Sequence, residues 1–149
     1  MSVSITIQGL DRLQRKLGTD FKPVLRGATK AIAGAIEGEI APYPPKTIAN
    51  SPSQPRWYER GYGPRWHGGT GGRKTSQNLG RSWGIKSKGS IGAVLGSRAT
   101  YSPYVHSHEK QAKFHGARGW VTDKEAVEKV VNRGDVEKIM RQAVRKALG

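Results

Sequence analysis

The sequence predicts an α+β fold, and three patterns in its 149 residues are the basis for this. A short run near the N-terminus alternates between apolar and polar residues, as strands do. Apolar stripes with helical spacing follow it and recur near the C-terminus. Two apolar runs near the centre are joined by a polar turn that contains Gly, which indicates a β-hairpin. We expect one domain, residues 1–149, with a small, mainly antiparallel sheet and a long hairpin packed against a long helix of the N-terminal half and the C-terminal helices.

The first two elements follow from the spacing of apolar residues. Residues 3–7 alternate and predict a short, half-buried strand. Three leucines at helical spacing then predict a short helix with one apolar face: Leu10, Leu13 and Leu17. Gly18 ends this helix.

A long amphipathic helix is predicted over residues 20–41. Thr19 or Asp20 can cap it, Pro23 is tolerated in its first turn, and Pro42 ends it. Its apolar face repeats every four residues at Val24, Ala28, Ile32, Ile36 and Ile40. Three internal glycines each weaken a helix by roughly 0.5–1 kcal/mol relative to Ala, unless a strand or a neighbouring subunit lies close to them. They are Gly27, Gly34 and Gly38.

Residues 43–75 have a different composition, rich in Pro and Gly and without periodicity. A stretch of this length without a secondary-structure pattern is uncommon inside a compact domain. We interpret it as an extended arm or loop, inserted between the long helix and the central hairpin and held by neighbouring subunits, with fold-back on its own domain as the alternative. Its aromatic residues are interleaved with arginines. Such residues are enriched at protein interfaces and can also stack on bases, so the two interpretations stay open at this point.

The central hairpin is predicted from residue 79 to residue 95. Its first strand would contain Leu79, Ser82, Trp83 and Ile85. Residues 86–90 would form the turn and residues 91–95 the second strand. The chain then kinks at Pro103.

A third segment begins around this kink with Tyr101, Tyr104 and Val105. The polar and basic residues that follow, 106–120, are interpreted as a loop or an extended hairpin tip.

Two helices are predicted at the C-terminus. Thr122 and Glu125 form a capping box that opens the first, whose apolar face contains Ala126, Val127, Val130 and Val131. Residues 132–134 break it. Asp135 is expected to cap the last helix.

The charge of the chain restricts its partners. The formal net charge is +15, from 26 Lys and Arg against 11 Asp and Glu. A chain this basic attracts phosphate backbones or acidic protein surfaces, and composition does not separate the two. The sequence has no cysteine, so disulfides and thiolate metal sites are excluded. No apolar run approaches the roughly 20 residues that span a bilayer, so no membrane partner is expected.

Catalytic and metal-binding patterns are weak. His106 and His108 would share one face of a strand with His115 nearby, but a solvated polar strand end is the better interpretation. Ser82, His106 and Asp123 lack the sequence context of a hydrolase. Residues 68–72 are Gly-rich without the spacing of a phosphate-binding loop, and we interpret them as a hinge. We therefore expect no enzyme, with no catalytic, cofactor-binding or metal site.

The central stretch resembles a known family. The pattern N-L-G-R-S-W, a hairpin and then V-L-G-S-x-x-x-Y-S-P-Y-V-H is similar to the head–tail joining, neck or tail-completion proteins of tailed bacteriophages. V-x-I-x-I-x-G-L-D-R-L and the long helix ending in Ala41-Pro42 extend the resemblance over about two thirds of the chain. Many members follow Tyr-Val with Glu-x-Gly-Thr, whereas this chain has His106-Ser-His-Glu-Lys-Gln.

The resemblance implies a structural virion protein. Copies would form a ring at the head–tail junction, hexameric with a dodecamer as the alternative, that joins the connector or portal to the tail tube around the DNA channel. The chain would assemble in the host cytoplasm and reside in the neck of the virion. Expected interface residues are Trp57, Tyr58, Tyr62, Arg65 and Trp66. Expected contacts to channel DNA or an acidic partner are Arg73, Lys74, Lys86 and Lys88.

A second hypothesis rests only on the net positive charge of the chain. The chain would be a basic nucleic-acid-binding module without a structural role in a particle. No helix-turn-helix, zinc-finger or RNA-binding aromatic motif accompanies the charge. A steep salt dependence of DNA binding would favour this hypothesis.

Overall fold

A computed structural model describes residues 1–44 and 77–149 and has the predicted α+β architecture. A three-stranded antiparallel sheet packs on a long central helix, and two C-terminal helices pack on the same helix. The elements in chain order are β1 (Ser2–Ile5), α1 (Leu10–Leu17), α2 (Lys22–Ile40), α3 (Gln77–Arg81), β2 (Trp83–Lys88), β3 (Gly92–Ser97), α4 (Ser102–His106), α5 (Lys113–Ala117), α6 (Asp123–Asn132) and α7 (Asp135–Leu148). None of the helices within these two ranges is long and apolar enough to cross a membrane.

The sheet joins the N-terminal strand to the central hairpin. Its order is β1-β3-β2, and both pairings are antiparallel. Leu95 of the middle strand lies opposite Val3 on one side and Ile85 on the other, and all three contribute to the main core. Because side chains alternate along a strand, Lys86 and Lys88 lie on the opposite, exposed face of the sheet.

The predicted first strand of the hairpin is wrong at its start. Residues 77–81 form α3, and β2 begins only at Trp83. The Ser82 hydroxyl donates to the Leu79 carbonyl oxygen at 2.7 Å, which satisfies an acceptor at the end of this short helix. β2 continues to Lys88, so the turn occupies residues 89–91 and is shorter than the predicted one.

Gly92 is required at the start of β3 by close approach of two strands. A Cβ atom at this position would lie 2.6 Å from the carbonyl oxygen of Lys88 and 3.0 Å from that of Ile5. Side chains do not tolerate such distances, so any other residue forces the hairpin end apart.

The long helix α2 forms the centre of the core, as its apolar spacing predicts. Ile32, Ile36 and Ile40 are buried between the sheet and the C-terminal helices. At the N-terminal end Leu25 is buried, whereas Val24 is only partly buried. Of the two predicted caps, Asp20 accepts the backbone N–H of Lys22 at 3.0 Å, although Phe21 is the residue that precedes the helix.

The short helix α1 differs from its prediction in burial. Leu10 is buried, but Leu13 and Leu17 are 39% and 49% exposed. Their spacing is helical, yet within the described residues no element covers this part of the helix, so the predicted apolar face is wrong for these two side chains. Gly18 ends the helix with a left-handed backbone (φ 62°), as predicted.

The region after the sheet is more helical than predicted. Pro103 lies in the first turn of α4, where its missing N–H costs nothing. The interpretation of residues 106–120 as a loop or hairpin tip is wrong, because residues 113–117 form α5.

The two C-terminal helices confirm the capping box and correct one cap. The Thr122 hydroxyl accepts the Glu125 N–H at 3.2 Å, and the Glu125 carboxylate accepts the Thr122 N–H at 2.8 Å. Gly134, with φ 75°, precedes α7, whereas Asp135 makes no capping bond and instead accepts from Arg133 at 2.7 Å.

The apolar face of α6 is narrower than predicted. Ala126 and Val130 are fully buried, but Val131 is 53% exposed. The next helix, α7, runs back along α2, so its first residues lie near the end of α2 and its last turns lie near Leu25.

Candidate functional site

The motif Tyr101–His106 forms a helix with two different sides. Ser102, Val105 and His106 are buried, whereas Tyr104 is 61% exposed and Tyr101, just before the helix, is 39% exposed. The buried side fixes the position of α4 on the domain. The two exposed tyrosines therefore lie on a helix that is anchored in the core.

The buried side is anchored by a histidine. His106 is fully buried, and its Nδ1 lies 2.7 Å from the carbonyl oxygen of Val121. Its ring makes edge contacts with Trp83 and Trp120, with ring centroids 5.5 Å and 5.3 Å apart. The interpretation of His106 as part of a solvated strand end is wrong, because helical geometry turns its ring into the core.

The environment keeps His106 neutral. Burial lowers its pKa, and the bond to the Val121 carbonyl and the charge of Asp123 oppose this only in part. Since a carbonyl oxygen only accepts, Nδ1 carries the proton and Nε2 is an acceptor. Nε2 is buried without a hydrogen-bond partner.

A second histidine borders the same cluster. The ring of His115 on α5 lies 6.1 Å from that of Trp120 and 4.1 Å from that of Phe114. Burial, followed by the nearby charge of Arg118, lowers its pKa to about 4. Both histidines are therefore neutral packing groups at pH 7.

The third histidine of this region is on the surface. His108 contacts Asp123 through Nδ1 at 2.9 Å, and its backbone N–H donates to the same carboxylate oxygen at 2.9 Å. Burial alone raises the pKa of Asp123, but the hydrogen bonds from His108 and from the Lys124 N–H outweigh it and lower the pKa overall. The pair fixes the chain at the first turn of α6.

The three histidines do not converge. His106 is buried, while His108 faces solvent beside Asp123. Across residues 1–44 and 77–149, no group of three or more His, Cys, Asp or Glu side chains could hold a metal ion. Ser82 bonds to Ser97 at 2.6 Å rather than to His106, so the imagined Ser82–His106–Asp123 arrangement is not assembled.

The exposed aromatic residues of α4 and α5 lie on adjoining helices. The Ala112 N–H donates to the Tyr104 carbonyl at 2.9 Å, which joins the start of α5 to α4. Gln111 braces both ends of the turn by donating to the carbonyl oxygens of Val105 and Trp120 at 2.8 Å and 2.9 Å. We call the exposed side chains of Tyr101, Tyr104 and Phe114 the aromatic surface; they are 39%, 61% and 54% exposed.

Ion pairs accumulate where the end of α2 meets the end of α6. Glu39 at the end of α2 pairs with Arg133 and lies 3.8 Å from Lys129. Hydrogen bonds to Glu39 and then to Asp135 raise the pKa of Arg133. We call this part of the molecule, formed by the end of α2, the start of β2 and helices α4 to α6, the paired end.

The predicted contact residues divide into two groups. Trp57, Tyr58, Tyr62, Arg65, Trp66, Arg73 and Lys74, with almost all of the 43–75 arm, lie outside the described residues. Lys86 and Lys88 are exposed on β2. The ammonium of Lys88 reaches the Ser4 hydroxyl at 3.4 Å, across the middle strand.

Comparison of the chain with protein-family models, with curated proteins and with solved structures found no match in any of the three.

Sequence patterns missed the cluster around His106. Its two tryptophans are far apart in the chain, and Trp120 lies in a polar stretch. One signal was available, because Val105-His106 continues an aromatic motif with helical spacing from Tyr101.

Proposed function

We propose that the chain is a structural protein of a tailed-bacteriophage particle. Copies assemble into a ring at the head–tail junction, a hexamer or a dodecamer, that joins the connector to the tail tube around the DNA channel. Its place would be the neck of the virion, after assembly in the host cytoplasm. The proposal combines the resemblance of the central motif with one structural observation, the aromatic surface on a rigid base.

The aromatic surface is suited to protein contact. Large rings bury much apolar area on association and lose little conformational freedom. Tyr104 and Phe114 are more than half exposed, although each is next to a side chain of the buried cluster. Because buried neighbours anchor the helices that carry these rings, their backbone needs little ordering when a partner binds, which favours affinity.

The arm adds a second expected contact. Trp57 and Trp66 lie outside the described residues, so their role rests on composition. Replacing both by Ala should leave the domain folded and impair assembly. Unfolding of this double variant, followed by circular dichroism, would instead identify the two rings as core residues.

The second candidate is a nucleic-acid-binding module without a place in a particle. The net charge of +15 favours it. It predicts a monomer that binds DNA and does not bind tail or connector proteins.

Mass measured by light scattering separates the two candidates. The purified chain is measured alone and after mixing with its tail-tube or connector protein. A ring in either sample supports the structural role. A monomer in both samples that binds DNA in a salt-dependent way supports the module.

A further inference from the structure

One end of the molecule is formed by four elements that meet around a small apolar cluster. Leu10, Phe21 and Leu25 are buried there, against Ile91 of the hairpin turn and Val144 of α7. The cluster therefore brings together the hairpin turn, α1, the first turns of α2 and the last turns of α7.

Two hydrogen bonds hold the hairpin turn at this end. Arg26 donates through Nε to the Ser90 carbonyl at 2.9 Å, and the Thr29 hydroxyl donates to the Ile91 carbonyl at 2.6 Å. Thr29 is fully buried, so this attachment is part of the core. These two bonds therefore hold the hairpin turn at a fixed position on α2.

Exposed cations cover this end. Six of them belong to the two N-terminal helices: Arg12, Arg15, Lys16, Lys22, Arg26 and Lys30. Four more belong to β2 and to the last turn of α7: Lys86, Lys88, Arg145 and Lys146. We call this set the basic end.

These cations lack acidic partners in the described part of the chain. The ion pairs there all involve other residues, most of them at the paired end. The acids near these cations are Asp11 on α1 and Asp20 just before α2, and Asp20 already accepts from Gln14 and from the Lys22 N–H. The other acids of α2 and α7 lie in the last turn of α2 and the first turn of α7, at the paired end. Unpaired like charges repel one another, so this concentration produces a strong positive potential.

The arrangement fits a long polyanion better than an acidic protein patch. The cations lie on several elements around the end, and the Ser4 hydroxyl lies beside Lys88. Duplex DNA offers phosphates at regular short intervals, which match a spread set of donors. The exposed aromatic anchors that mark a protein interface are at the other end, on α4 and α5.

We propose that the basic end binds the phosphate backbone of duplex DNA without reading its sequence. This deepens the proposed function by naming the surface that faces DNA in the channel. The binding itself belongs to each chain, so it is measured independently of ring formation.

The test compares two double variants of the full chain with equal net charge. Binding to a labelled duplex is measured by fluorescence anisotropy over a range of salt concentrations. Lys86→Gln with Lys88→Gln removes two cations of the basic end, whereas Lys110→Gln with Lys113→Gln removes two exposed cations beside α5. Because each phosphate contact contributes about 0.9 to the slope of log K against log salt, the first variant should lower the slope by about 2. The second should leave it nearly unchanged.

Three results would overturn the proposal. Equal loss of slope in both variants means that overall charge, rather than the basic end, binds DNA. The absence of salt-dependent binding removes the site altogether. Tighter binding to polyglutamate than to the duplex assigns the surface to acidic proteins. Circular dichroism confirms that both variants are folded, and their masses report separately on the ring.

Discussion

The two ends of the molecule have the same kinds of charged residue but arrange them differently. At the paired end several acids lie directly beside basic side chains, as Glu39 does beside Arg133 and Asp123 beside His108. Exposed aromatic rings lie beside them on a base that contains fully buried His106. At the basic end, cations such as Lys86 and Lys88 stand without acidic partners in the described part of the chain.

Two surfaces of different chemistry therefore lie at the two ends of one small domain. The length of α2, 19 residues or about 28 Å, separates the two surfaces. This exceeds the distance of about 10 Å over which salt screens charges at 0.1 M. Each surface can therefore be changed with little effect on the other.

The largest change in the free energy of unfolding is expected for the buried residues beneath the aromatic surface. Trp120 is 6% exposed and contacts His106, so Trp120→Ala removes a large buried ring. We expect a loss of about 3–5 kcal/mol in the free energy of unfolding, measured by denaturant titration. Tyr104→Ala, on the exposed side of α4, should change it by less than about 0.5 kcal/mol. Similar losses for both would mean that Tyr104 also belongs to the core.

The next largest effect is a dependence of fold stability on pH, which arises from two histidines at the paired end. Burial lowers the pKa of His106, and it lowers that of His115 from 6.5 to about 4. Between these values the unfolded chain binds protons that the folded chain does not, so stability should fall as the pH decreases from 7 to 4.5. His115→Gln should make this decrease shallower in denaturant titrations at several pH values.

Asp123 provides a check on that interpretation. Its pKa is lowered from 3.8, so its contribution to stability is present above that value and is lost only in stronger acid. An unchanged pH dependence of His115→Gln between pH 7 and 4.5 would therefore contradict the assignment to this histidine.

The smallest change in the free energy of unfolding is expected for Gly→Ala substitutions in α2, and it should be similar at both ends of the helix. A Cβ atom at Gly27 or at Gly38 in α2 would meet no atom within 4 Å. Each change to Ala should therefore raise the free energy of unfolding by about 0.5–1 kcal/mol, measured by denaturant titration. Gly92→Ala is the contrasting control and should destabilise the domain, since its Cβ would approach the Lys88 carbonyl to 2.6 Å. Loss of stability in Gly27→Ala or Gly38→Ala would show a close neighbour at that end.

Sequence patterns predicted the elements that are determined by residues close together in the chain. The four-residue spacing of Ile32, Ile36 and Ile40 predicted α2, and the capping box predicted the start of α6. These signals depend on residues within one or two turns, so a single sequence contains them. The antiparallel sheet followed from alternation and turn residues in the same way.

Tertiary packing decided the features that the sequence patterns missed. Leu79 resembles a strand residue, but it is 2% exposed within α3, where it packs with Val105 and Trp120. His106 resembles a surface residue until Trp83 and Trp120 enclose it. Their contacts join distant parts of the chain, and local spacing contains no information about them.

Assembly mass tests the central claim, that the paired end makes the protein contacts of a ring. The measurement compares two double variants that each remove two exposed apolar side chains, Tyr104→Ser with Phe114→Ser at the paired end and Leu13→Ser with Leu17→Ser at the basic end. Light scattering is recorded with and without the tail-tube or connector protein, and denaturant titration checks that both variants are folded. We predict that the wild type and the leucine variant form the ring and that the aromatic variant stays monomeric. A ring in the aromatic variant, or its loss in the leucine variant alone, would contradict the account.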